Sequence, residues 1–176
     1  EMTSSLVGSE MCIRDSLYLG RYAGFRIHEC FRMDTAAAEQ ALRENALTVK
    51  GKGGKVRTVP IEDERIPMML RKLLAQTERG HKLLVPDGMP TDRAINALEL
   101  FIYRYRNEIC DEGSDRCLTF HGLRHTYAAE KYTRLTEDGM SAIDAHYAVS
   151  RLLGHERADV TNIYLASVRK RGRDGE

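Results

Sequence analysis

The sequence predicts a mainly α-helical domain carrying one small antiparallel β-sheet, an α+β arrangement. Three observations predict it. Apolar residues recur at helical spacing in several separate stretches between Leu17 and Leu153. A single pair of β-branched runs, "ALTVKG" and "KVRTVPI", flanks a Gly-rich turn, which is a hairpin signal. There is no internal repeat and no low-complexity segment to suggest a solenoid or an unfolded linker.

The elements follow in order. "LVGSEMCIRDS", residues 6–16, has no clean helical or strand period. It matches the in-frame translation of a transposon-end sequencing adapter through Asp15, and the next codon is compatible with Ser16. The expectation is that residues 1–16 are not native, that native sequence begins near Leu17, and that the parent gene product is longer at its N-terminus. "SLYLGRYAGFRIHECFRMD" reads as a helix, a break at Gly24 and a second helix beginning near Arg26. "TAAAEQALRENA" has high helix propensity. The hairpin follows. From Glu62 a helix is expected, with Ile66, Met69, Leu70, Leu73 and Leu74 on its apolar face, Pro67 near its start and Gly80 at its end. "KLLVP" reads as a short extended piece, and Thr91 as the cap of a helix whose stripe runs Ile95, Leu98, Phe101, Ile102, Tyr105 and Ile109. A loop with Gly113 and Ser114 leads to a helix from about His121 to Leu135. Ser141 and Asp144 open another helix that stops at Gly154. A last short helix carries Tyr164.

Composition sets bounds on function. At 176 residues the chain suits one domain with a real core, and 42% apolar with 30% charged residues is ordinary for a globular protein. No apolar run approaches the roughly 18 residues of a membrane span, and no secretory signal is visible. Cys12, Cys30, Cys110 and Cys117 form no CxxC pair, which fits free thiols in a reducing cytosol better than a disulfide framework or a zinc site. The net charge of +1 does not announce a nucleic-acid binder. Its distribution says more: Lys50, Lys52, Lys55 and Arg57 cluster without an acid between them, and Arg169, Lys170, Arg171 and Arg173 crowd the C-terminus.

Four places can carry chemistry. The Gly-Lys-Gly-Gly-Lys stretch at residues 51–55 lacks the hydroxyl that a nucleotide P-loop has after its lysine, because Val56 follows Lys55. It reads either as a plain basic hairpin tip or as a tip that delivers a lysine into a groove. In "FHGLRHTYAAEKY", His121 and Arg124 lie on one helix face, and an arginine grips phosphate through a planar fork. His121 and His125 share the spacing of a zinc motif, but Gly122 stands where that motif has its glutamate. His155 follows a helix end, and Tyr164 taken alone reads as a packing residue. Arg26 taken alone reads as a surface partner of Glu29.

Together these residues are more specific. Gly-Phe-Arg26-Ile-His-Glu29, Gly-Lys52-Gly-Gly-Lys-Val-Arg before Val-Pro, His121-Gly-Leu-Arg124-His, Leu-Gly-His155 and then Tyr164 stand in that order. The pattern resembles the catalytic domain of the tyrosine recombinases, the phage integrase family, from about Leu17 to Ser167. The resemblance implies that fold, incomplete at its N-terminus, with a catalytic domain over 17–168 and a basic tail over 169–176. It implies site-specific cleavage and rejoining of DNA through a 3′-phosphotyrosyl intermediate, serving integration or excision of a mobile element. Arg26, Lys52, His121, Arg124, His155 and the nucleophile Tyr164 are the implied catalytic residues, with Glu29 supporting Arg26. Lys50, Lys55 and Arg57 are expected to contact the DNA backbone. No metal and no cofactor are implied, because the phosphotyrosine conserves the bond energy. The implied partner is double-stranded DNA, bound by a tetramer of the full-length parent in the cytoplasm, associated with the nucleoid and not with a membrane. Two alternatives stay open: type IB topoisomerase-like strand relaxation, and a DNA-binding fragment without turnover.

Overall fold

Apolar stripes on the predicted helices must find a common interior, and the computed structural model shows where they meet. It describes residues 2–51, 54–108 and 117–154, with side chains from residue 12 onward. In chain order the elements are α1 (Met2–Ala23), α2 (Ile27–Cys30), α3 (Thr35–Glu44), β1 (Ala46–Lys50), β2 (Val56–Pro60), α4 (Arg65–Leu74), α5 (Thr91–Tyr105), α6 (Phe120–Glu137) and α7 (Ala142–Leu153). The mainly helical architecture with one two-stranded antiparallel sheet is the one the sequence predicts.

α1 runs through the segment whose sequence shows no helical period. Once the turns after Leu17 are fixed by packing, each further residue adds a backbone hydrogen bond at little cost. Ile13 packs against the core, and Ser16 Oγ donates to the Cys12 carbonyl at 2.7 Å. Gly24 ends α1 with φ +63, and a Cβ there would lie 2.5 Å from the Tyr127 ring, so glycine is required twice over. The chain then turns into the single helical turn of α2.

α3 is capped by Asp34, whose carboxylate accepts from Ala37 N at 2.8 Å, and ends on Asn45 in the left-handed conformation. β1 and β2 pair with Val49 opposite Arg57 and Lys50 opposite Val56. α4 is shorter than its sequence pattern suggests. It starts at Arg65, because Asp63 accepts from the Arg65 N–H at 2.9 Å, and its regular turns stop at Leu74. Gly80 N–H instead donates to Thr35 Oγ1 at 2.8 Å, tying the following turn to α3. Pro67 is its third residue, where no intrahelical N–H bond is lost.

Two local readings change. Of "KLLVP" only Lys82 is paired, in an isolated bridge to Asp34; Leu83 and Leu84 turn into the core. Thr91 is not the cap of α5. Pro90 occupies that position, and the Thr91 hydroxyl accepts from Lys82 Nζ at 2.7 Å. On α5, Ala94, Leu98 and Ile102 are buried while Tyr105 points outward. α6 is capped by Thr119 and α7 by Ser141, with Gly154 closing α7 at φ +65.

The main core gathers Leu19, Phe25, Phe31, Leu47, Val59, Ile66, Leu70, Leu84 and Leu98, among others. Ala128, Val149 and Leu153 form a smaller cluster between α6 and α7, and Tyr127 packs on both. Cys12, Cys30 and Cys117 are free thiols; Cys110 lies outside the described residues, as do Ile109, the loop at Gly113 and Ser114, and the expected helix around Tyr164. Among the described residues no helix is long and apolar enough to cross a membrane.

Candidate functional site

The break after α1 sets Arg26 at the mouth of α2, with extended backbone at φ −79 and ψ 153. Its own N–H donates to Glu29 Oε2 at 2.7 Å, and its guanidinium Nη1 donates to Glu29 Oε1 at 3.0 Å. The GxRxxE spacing is therefore a one-turn clasp in which the acid caps the helix and holds the arginine at once. Part of Arg26 still faces solvent, with its side chain 30% exposed.

Arg124 enters from the second turn of α6 and is fully buried. Its Nη1 donates to the Gly24 carbonyl, its Nη2 to the Leu153 carbonyl, and Nη1 lies 4.0 Å from Glu29 Oε2. One side chain thereby joins the end of α1, the end of α7 and the acid of α2. His121 sits one turn earlier on α6, its ring edge-to-face with His125 at 4.8 Å between centroids.

Arg26, His121 and Arg124 line one cleft of about 490 Å³, with Phe25, Phe120 and Tyr103 among its apolar walls. His28 and Arg106 also line it, and neither stands out in the sequence as a site residue. The Glu29 carboxyl is the electrostatic centre. Burial alone would raise its pKa. The hydrogen bonds from Arg57 and from the Arg26 N–H, with the charges of Arg57 and Arg124, outweigh that and pull it down to about 2. For His121, burial and then the positive charges of Arg124 and Arg26 hold the imidazole below its usual pKa of 6.5. Burial does the same to His28. The cleft thus offers fixed positive charge beside histidines that stay neutral near pH 7.

The hairpin cations divide. Lys50 and Lys55 are exposed, as a contact with a polyanion requires. Arg57, grouped with them from sequence, is turned inward and only 8% exposed. Its Nη1 and Nη2 bind Glu29 Oε1 and Oε2 at 2.8 and 2.7 Å, and its Nε donates to the Leu152 carbonyl at 2.9 Å. The signal was present in the strand itself. Side chains alternate in a strand, and Arg57 has the parity of buried Val59. Lys52, His155 and Tyr164 lie outside the described residues. Their described neighbours approach Arg57. A Cβ on Gly51 would come 4.0 Å from Arg57 Nη1, and one on Gly154 would meet Arg57 Cδ at 2.9 Å.

A helical domain with one basic hairpin, and a cleft where a buried arginine and a half-exposed one flank a neutral histidine, is built to hold an anion. The chain belongs to the phage integrase family, whose model matches residues 8–171, and its fold is that of a tyrosine recombinase catalytic domain. Among curated proteins it is 29% identical over 130 residues to the tyrosine recombinase XerD of Pseudomonas putida, covering 70% of this chain and 39% of that one. It is 32% identical over 125 residues to tyrosine recombinase XerD of Lacticaseibacillus casei, covering 70% and 40%. The chain thus spans about two fifths of the length of these relatives. Solved structures with the same fold include XerA recombinase, with a TM-score of 0.61 at 18% identity over 96% of this chain and 63% of that one. The integrase of the Tn1549 transposon, solved with circular intermediate DNA, has a TM-score of 0.56 at 19% identity over 85% and 52%. The integrase of mycobacterium phage Brujita has a TM-score of 0.56 at 21% identity over 89% and 50%.

Proposed function

We propose that residues 17–168 are the catalytic domain of a site-specific DNA recombinase of a mobile element, working on double-stranded DNA as part of a tetramer of longer chains. The observation that carries this reading is the convergence of Arg26 and Arg124, far apart in sequence, with His121 on one cleft around a shared buried acid. Residues 1–16 stand outside the proposed domain, and 169–176 form its basic tail.

The chemistry follows from the groups. The phosphorus of a DNA strand gains charge on its non-bridging oxygens as a nucleophile attacks. Preorganised guanidinium groups in a low-dielectric cleft stabilise that charge. Arg26 and Arg124 take this role, and His155 adds a hydrogen bond. The Tyr164 oxygen attacks, the P–O5′ bond breaks, and a 3′-phosphotyrosine and a 5′-hydroxyl form. Free tyrosine has a pKa of about 10, so its proton needs an acceptor. His121, kept neutral by burial and by its two arginine neighbours, supplies one. Lys52, which falls between β1 and β2 in the sequence, protonates the departing 5′-oxygen. Attack by a 5′-hydroxyl from a second strand reverses these steps and rejoins DNA, with no need of a metal or ATP. Lys50 and Lys55 are exposed on the hairpin, where they suit contact with the DNA backbone.

The test is covalent trapping on a nicked suicide DNA that loses its 5′-hydroxyl fragment after cleavage. The wild-type chain should give a protein–DNA adduct and Tyr164→Phe none; an adduct from the variant would remove Tyr164 from the nucleophile role. Lys52→Ala should recover on DNA with sulfur in place of the leaving 5′-oxygen, because sulfur departs without a proton.

A further inference from the structure

We propose that Arg57 is a positioning residue for this site: through Glu29 it aims Arg26 at the scissile phosphate, and with the same guanidinium it seats the C-terminal end of α7. The proposal rests on the DNA-cleavage reading above.

Arg57 does not line the cleft, so it does not touch the phosphate itself. Every guanidinium nitrogen is nonetheless committed. Two bind Glu29 as a fork, which fixes the carboxylate in plane as well as in position. Glu29 Oε1 is shared, accepting from Arg57 Nη1 at 2.8 Å and from Arg26 Nη1 at 3.0 Å. The half-exposed Arg26 is thus tethered to an oxygen that Arg57 holds still. Without that fork, the carboxylate gains rotational freedom and Arg26 gains it too. The third nitrogen, Nε, caps the Leu152 carbonyl, one of the orphan acceptors at the end of α7. Arg124 caps the next one, Leu153. Gly154 completes the fit, since a side chain there would strike Arg57 Cδ. A lysine cannot reproduce this arrangement, because it offers a point charge and no planar fork.

A mere strut and a positioning residue make different predictions on two substrates. On ordinary suicide DNA, Arg57→Gln should cut the cleavage rate by about 100-fold, the loss a misplacement of about 1 Å can cause. On DNA with a neutral methylphosphonate at the scissile position, the charge that Arg26 must neutralise is gone. There the loss should shrink to a few-fold, in parallel with Arg26→Ala measured alongside. Arg57→Lys keeps a cation beside Glu29 and guards against a misfolded glutamine variant. It should be slowed on ordinary DNA and restored on methylphosphonate DNA in the same way. Equal losses on both DNAs, or none on either, overturn the proposal while leaving the cleavage reading intact. Absence of any adduct from the wild-type chain on both DNAs overturns the cleavage reading and this proposal with it.

Discussion

Glu29 and Asp15 are both buried acids, with side chains 0% and 1% exposed, and their surroundings could hardly differ more. Glu29 accepts on both oxygens: Oε1 from Arg26 and Arg57, Oε2 from the Arg26 N–H and Arg57. Asp15 accepts only on Oδ1, from its half-exposed neighbour Arg14 at 2.8 and 3.0 Å. Its Oδ2 has no hydrogen-bond partner among the described residues. Burying a charge is tolerable when it is fully paired and costly when it is not. In the stretch around Glu29, helix cap, ion pairs and packing all point to one conformation. In the stretch around Asp15, the helix is right and the side chain is wrong. Agreement across levels marks a sequence selected for its fold. Such a shortfall is not confined to the helix before Leu17, since His146 Nε2 on α7 also has no hydrogen-bond partner among the described residues.

The largest effect should come from breaking the satisfied site. Glu29→Ala leaves Arg57 and Arg124 buried beside an empty place, and removing one partner of a buried ion pair costs about 3–5 kcal/mol. That is a large share of the ~5–15 kcal/mol typical of a domain. Denaturant midpoints should show it. The double variant Glu29→Gln with Arg57→Gln should be less destabilised than the sum of its two single variants, by about 0.5–3 kcal/mol. Additive losses would mean that the two side chains act independently, against the geometry.

Acidification should act on the same carboxylate more gently. Its pKa is depressed from 4.5 to about 2, so Glu29 contributes stability that is present above pH 4.5 and lost as pH falls toward 2. A shift of this size corresponds to roughly 3 kcal/mol at neutral pH. Thermal melts from pH 5 to pH 2 should fall accordingly, and the slope should flatten in Glu29→Gln. An unchanged slope in that variant would assign the acid sensitivity to other carboxylates.

Most of the frame was legible because its signals are local. The Ser141 cap, the stop at Gly154 and the paired β-branched runs each report on a few neighbouring residues. The clasp of Arg26 by Glu29 was legible for the same reason, being three residues long. What was not legible depends on distant partners. Thr91 has the chemistry of a cap, but Lys82 takes its hydroxyl. Residues 75–80 continue a plausible helix, but Thr35 holds Gly80 elsewhere. Arg57 carries a charge that reads as solvent-facing, and only its strand parity hints that a buried acid on α2 waits for it. Helical periodicity was also silent on residues 6–16, because extension of an existing helix demands little of the sequence it runs into.

The smallest effect, opposite in sign, belongs to Asp15. Replacing a buried, half-satisfied carboxylate by an apolar side chain of similar size removes a desolvation cost of about 1–3 kcal/mol and sacrifices only a bond to an exposed neighbour. Asp15→Leu should therefore stabilise the chain, by about 2–4 °C in melting temperature for each kcal/mol in a domain of this size. The leucine would join Ile13 and Leu17, which already pack against the core from the same helix. Cleavage in the trapping assay should not change, because Asp15 does not line the cleft. A lower melting temperature would show that the Asp15 carboxylate has a partner that satisfies Oδ2 after all. The contrast with Glu29 would then be one of degree, and the helix before Leu17 would be as well matched to this core as the helix after it.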